Sequence, residues 1–102
     1  MDNPYRIINN REVFNDKLDI RIRIQGRNDL IYKEGNKIVK IFIESSIQKM
    51  NFFKKKYIAV VCLKEDYFWE ETNMKLTKEE KEKISKEISI ALEKLNVEYV
   101  ID

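Results

Sequence analysis

The densest potential chemistry in the chain is the run Glu65-Asp66-Tyr67-Phe68-Trp69-Glu70-Glu71, four carboxylates around three consecutive aromatics. Carboxylates attract and orient a basic partner, and aromatics anchor the contact once water has left it. Glu65, Asp66, Tyr67, Glu70 and Glu71 are therefore the residues expected to dock a positively charged protein surface. Trp69 is expected to point inward as a core plug, with Tyr67 outward. A second cluster has the opposite sign: Lys54-Lys55-Lys56 follows Lys49 and is interleaved with Phe52, Phe53 and Tyr57. Arg21, Arg23 and Arg27 could extend it, though they equally serve as the wet face of their strand. Cations mixed with aromatics suit single-stranded nucleic acid. The competing reading is a set of solubilising lysines ahead of a buried strand, and a net charge of +2 lacks the footprint of a nucleic-acid binder. Nucleic acid is therefore the weaker of the two partners.

Catalysis has little to work with. The chain has no histidine and one cysteine, Cys62, which excludes imidazole acid–base chemistry, the usual zinc sites and an internal disulfide. Ser45-Ser46 has neither a glycine elbow nor a histidine to activate it. Glu79-Glu80-Lys81 matches a fragment of some metal-dependent nuclease motifs but sits in the first turn of a solvated helix. Gly26 and Gly35 stand alone, so no phosphate-cradling loop is present. No catalytic residue, metal or cofactor is expected. No apolar run approaches the length of a membrane span, and no export signal is visible, so a cytoplasmic location is the expectation.

The elements that must carry these residues follow from periodicity. Ile20, Ile22 and Ile24 alternate with Arg21, Arg23 and Gln25, the pattern of a half-buried strand. Residues 30–34 and 37–44 flank Gly35-Asn36, a two-residue connection that closes an antiparallel hairpin. Residues 57–63 are apolar on both faces and read as a central strand covered on both sides, with Cys62 as inert core. Thr77-Lys78-Glu79-Glu80 is a capping box. It opens a helix whose Ile84, Ile88, Ala91, Leu92 and Leu95 recur at helical spacing, with Glu79/Lys83 and Glu82/Lys86 one turn apart on the wet side. After Asn96 the chain reads as a last short strand. Residues 5–8 could form an edge strand, and 11–18 a short helix or an irregular lead-in. The expected fold is a single α+β domain over 1–102, an antiparallel β-meander packed against one C-terminal amphipathic helix with a final short strand.

Charge divides unevenly along the chain. Residues 1–64 hold 14 basic and 7 acidic groups, and residues 65–102 hold 6 basic and 11 acidic. An asymmetry of this kind marks either a nucleic-acid face or an interaction surface for a charged protein partner.

From about Ile31 onward the chain resembles a family of immunity proteins from bacterial polymorphic toxin systems, the one catalogued as immunity protein seventy-four. The resemblance is carried by Tyr32-Lys33-Glu34-Gly35, a strand ending at Glu44, Ser46-Ile47, Trp69-Glu70, and Leu76-Thr77-x-Glu79-Glu80-Lys81-x-Lys83-Ile84. Ile88-x-x-Ala91-Leu92-x-x-Leu95 and an alternating tail complete it. The sequence departs from the family at Glu71-Thr72, where prolines are usual, at Asn96, where glycine is favoured, and in the basic insert at 49–56. The resemblance implies a non-enzymatic antidote that binds the C-terminal toxin domain of a cognate effector, one to one, and covers its active site. The effector system it implies is contact-dependent inhibition or another secretion-based toxin system, and the acidic cluster, suited to a phosphate-binding groove, makes a nuclease the expected toxin.

Overall fold

In a computed structural model, residues 3–49 and 55–102 are described, with the side chains of 47–49 and 55–57 left out of the description. Among the described residues the strands are β1 (Tyr5–Asn9), β2 (Glu12–Asn15), β3 (Ile20–Gln25), β4 (Asp29–Glu34), β5 (Lys37–Lys49), β6 (Lys55–Val61) and β7 (Tyr99–Ile101), and the helix is α1 (Lys78–Lys94). The strands form one curled sheet in chain order, antiparallel throughout except for the parallel pair β6–β7. This is the α+β meander with a C-terminal helix and short final strand that the periodicity predicts. The parallel pair arises because α1 carries the chain back across the sheet, as a parallel connection requires.

The sheet has one dry face and one wet face. Val13, Ile22, Tyr32 and Val39 stand in one cross-strand row, all buried, and Leu30 and Ile41 form part of the next. Ile84, Ile88, Ala91 and Leu92 of α1 join them in a single core with Val61, Leu63, Trp69 and Leu76. On the opposite face Phe14, Arg21, Lys33 and Ile38 share a row, and Glu12, Arg23, Ile31 and Lys40 the next. A one-residue register slip would exchange these two sets, so core burial pins the pairing.

The hairpin turn is closed by Gly35 with φ +59°, a conformation that costs a β-carbon dearly and glycine little. At the helix start Thr77 accepts from the Glu80 amide at 3.1 Å while Glu80 accepts from the Thr77 amide at 2.9 Å, the reciprocal box that the sequence implies. At its end Asn96 takes φ +58°, with Val97 N–H bonded to Leu92 O and Asn96 N–H to Glu93 O. Asparagine tolerates this left-handed position and so substitutes there for the glycine that usually ends a helix in this way.

Four expectations are corrected. Residues 12–15 are a strand rather than part of a helix or lead-in, because Val13 and Asn15 pack inward opposite Ile22 and Ile20. Strand β5 runs five residues past Glu44, because β6 pairs with its second half, 43–49, while β4 pairs with its first, 37–42. Among the described side chains of β6 Val61 alone is buried; Ile58, Ala59 and Val60 are half-exposed, and Cys62 is half-buried just beyond the strand. Finally, Lys83 does not turn to Glu79 along the helix but reaches Glu34 on β4 at 2.6 Å.

Candidate functional site

The segment between β6 and α1 is fixed by its backbone rather than left as a slack connection. Trp69 N–H bonds to Met74 O at 2.9 Å, Asn73 N–H to Trp69 O at 2.8 Å and Leu76 N–H to Tyr67 O at 2.9 Å, with Phe68 and Lys75 bridged across the turn. Asn73 supplies the left-handed residue at φ +56°. Glu70 N–H bonds to Ile38 O at 2.8 Å, which ties the loop to the edge of β5 that β6 does not reach.

Glu65, Asp66, Glu70 and Glu71 are all exposed on this loop. Asp66 pairs with Lys75 at 3.2 Å, and the Lys81 ammonium donates to the Glu65 carbonyl at 2.6 Å. Tyr67 is not the outward aromatic. Its hydroxyl donates to Cys62 O and accepts from Phe42 N–H, so the phenol clamps the loop to the strand ends, and burial pushes its pKa up. The outward apolar groups are Phe68, 48% exposed, and Met74, 65% exposed. The reason is the turn: with Trp69 inward, its neighbour Phe68 must face away.

Trp69, 5% exposed, is the inward plug as expected, and a set of polar residues from distant parts of the chain meets around it. Tyr32 and Glu34 lie two apart on β4 and so share a face. The Tyr32 hydroxyl donates to Glu34 Oε1 at 2.7 Å, and Lys83 donates to Glu34 Oε2 at 2.6 Å. The Tyr32 and Trp69 rings are 6.3 Å apart and tilted by 48°. Trp69 Nε1 donates to Glu80 Oε2 at 3.1 Å, so one carboxylate both caps α1 and holds the indole. Lys37 lays its ammonium 5.5 Å from the indole centroid.

Burial raises the Glu34 carboxyl's pKa, but hydrogen bonds from Lys83 and Tyr32, with the charges of Lys83 and Lys37, bring it below the ordinary value. Glu34 is therefore ionised at neutral pH. Burial, followed by the hydrogen bond to Glu34, pushes the Tyr32 phenol far above its usual range, leaving a neutral donor. Glu34 and Glu80 thus each have both carboxylate oxygens engaged, a pattern that holds structure rather than one poised to move a proton. Among the described residues no buried side-chain polar atom lacks a partner, and no three Cys, Asp or Glu groups stand where they could hold a metal ion. Tyr32, Glu34, Lys37, Glu80 and Lys83 were not among the residues singled out for binding. The available signal was the i, i+2 spacing of Tyr32 and Glu34 opposite the capped helix.

The basic alternative is only partly assembled. Arg21 and Arg23 lie exposed on the wet face beside Lys33 and Lys40. Arg21, however, pairs with the buried Glu12 at 3.0 Å and stacks over Phe14 at 5.4 Å, and Arg23 bonds Gln25 at 3.3 Å. Lys54, with Phe52 and Phe53, lies outside the described residues, as do the side chains of Lys55 and Lys56.

Among the described residues no helix is long and apolar enough to cross a membrane. No family model matches the chain, and neither a curated protein nor a solved structure matches it.

Proposed function

We propose that the chain is an immunity protein, an antidote that acts by binding the C-terminal domain of a cognate toxin in the cytoplasm and covering its working surface. The observation that carries this reading is the 65–75 loop. Its backbone is fixed by hydrogen bonds, and it presents Phe68 and Met74 outward among Glu65, Asp66, Glu70 and Glu71. Prearranged apolar anchors lose little freedom on binding, and surrounding carboxylates speed encounter with a basic partner. A groove that binds a nucleic-acid backbone is such a partner, which favours a nuclease toxin. The resemblance to immunity protein seventy-four supports the same reading, as does the absence of a histidine and of any serine elbow.

The test is growth rescue on co-expression with the toxin domain encoded beside this gene, followed by calorimetry of the purified pair. Rescue with one-to-one binding is expected. Reversing Glu65, Glu70 and Glu71 to lysine should slow association and weaken the complex at least tenfold, more so at low salt. Asp66 should matter less because Lys75 already holds it. Turnover of a substrate by the isolated chain, or no rescue by a well-folded chain, would overturn the proposal.

A second reading, a nucleic-acid-binding module, is favoured by one observation: Arg21 lies directly opposite Lys33 across β3–β4, a like-charge pairing that costs stability. It predicts binding of a single-stranded oligonucleotide with a steep salt dependence that Arg23→Ala and Lys33→Ala reduce.

A further inference from the structure

We propose that the indole face of Trp69 beneath Lys37 is a seat for a cationic side chain of the protein partner, an arginine guanidinium, and that Lys37 is its intramolecular stand-in. The partner's identity rests on the antidote reading; the seat itself does not. Lys37 is the cross-strand neighbour of Glu34, yet Glu34 is taken by Lys83 at 2.6 Å. The exposed Lys37 ammonium lends its charge to Glu34, which Lys83 already pairs, and sits over the indole, 5.5 Å from the ring centroid. A surface cation held by a ring and by a carboxylate that another lysine already pairs is easily displaced.

Space exists on both sides of that contact. One hollow of about 240 Å³ lies between Trp69, Glu34 and Lys83, and a second of about 240 Å³ lies between Trp69, Met74 and Thr77; Lys37 and Glu80 line both. With Lys37 swung away, Glu34 and Glu80 outnumber Lys83 in the first hollow, so the vacated seat carries a net negative charge. An anion is disfavoured there and a cation favoured. A guanidinium suits it better than a second ammonium because it is planar, stacks on an indole and is weakly hydrated. The exposed Glu70 and Glu71 follow Trp69 directly in the loop, so a basic surface drawn to the loop brings its arginines to this spot.

Trp69 is the single tryptophan of the chain, so its emission reports the seat directly. The full chain is titrated with L-argininamide, using sodium chloride at matched ionic strength and glycinamide as controls. A saturable change in emission is expected with argininamide alone. In Lys37→Met, and in Lys37→Gln as a second variant, the midpoint should fall by about two- to fivefold, the factor by which a weak internal cation–π contact competes. Lys33→Met, on the opposite face of the sheet, should leave it unchanged. Identical midpoints in the wild type and both Lys37 variants, or a response that salt reproduces, would overturn the proposal. Saturation by argininamide without growth rescue would remove the antidote reading and keep the seat. Rescue without saturation would do the reverse.

Discussion

Glu87 offers the sharpest test of how the helix is fastened to the sheet. Its carboxylate is buried, with the residue 3% exposed, and it accepts from Tyr5 Oη at 2.6 Å and from Asn15 Nδ2 at 2.9 Å. Asn15 cannot turn its amide round, because its Oδ1 accepts from the backbone N–H groups of Lys17 and Leu18. Glu87→Ala therefore leaves a buried amide donor unpaired, at about 1–3 kcal/mol, and loses a charge-assisted bond from Tyr5, about 1 kcal/mol more where water can replace it. Relief of a buried carboxylate offsets part of this, so a net loss of about 2–3 kcal/mol is expected. Glu87→Gln should lose less than about 1 kcal/mol, since its oxygen still accepts from Asn15 and its amide can donate to a rotated Tyr5 hydroxyl. Urea unfolding at neutral pH reads the difference: with a slope of about 1.5 kcal/mol per molar, the alanine midpoint should fall by about 1.3–2 M. A double-mutant cycle with Asn15→Ala should return a coupling of at least about 1 kcal/mol. Equal losses for Gln and Ala, or no loss for Ala, would refute the account of Glu87 as a polar rivet.

Other expectations follow from the same geometry. Tyr32→Phe should cost about 1.5–2 kcal/mol, measured by denaturant unfolding, because it removes a buried hydrogen bond to an ionised partner. Glu34 has a lowered folded pKa, so its contribution is present above the unfolded carboxylate pKa and is lost as pH falls through the folded value; Lys83→Met should flatten that acid limb of the stability profile. Tyr5 is pushed up to about 12 by burial and by Glu87, so its contribution holds below the unfolded value of 10 and is lost as pH rises from 10 towards 12. Tyr5→Phe should shrink the alkaline loss in thermal melts, leaving the share of Tyr32 and Tyr67, whose pKa values burial also raises. Gly35→Ala should cost about 1 kcal/mol from its left-handed φ alone, because an added β-carbon meets nothing within 4 Å.

Much of the fold could be read from local patterns because those patterns had no competitor. The Ile20–Ile24 alternation, Gly35 in its turn and the Thr77–Glu80 box each satisfy their own backbone, and tertiary packing leaves them as they stand. The parts that escaped are those in which a distant partner decides. Residues 12–15 contain Asn15, whose burial makes sense only with Glu87 opposite, 72 positions away. The extension of β5 past Glu44 depends on β6 pairing with its second half. In the acidic loop the exposed carboxylates were identifiable from composition. The orientation of Tyr67 was not, because it is set by Cys62 O and Phe42 N–H. The polar set around Trp69 joins β4, β5 and α1, and no single stretch of chain reveals it.

That convergence constrains how the binding surface can be dissected. Trp69 plugs the core, receives the helix cap through Glu80 and forms the floor of both hollows beside Lys37. Trp69→Ala would open a large cavity, at about 3–5 kcal/mol, and release Glu80, so lost binding in that variant could not be separated from lost folding. Residues that touch only one role separate them. Lys37 reaches the ring from solvent, and Phe68 and Met74 project from the loop, so substitutions there should leave the unfolding free energy within about 0.5 kcal/mol of wild type. If Phe68→Ser and Met74→Ser weaken partner binding while their unfolding curves overlay that of the wild type, the loop acts through what it presents. If binding falls only in step with stability, the 65–75 loop is a strut of the fold and the docking surface must be sought on the Arg23–Lys33–Lys40 face.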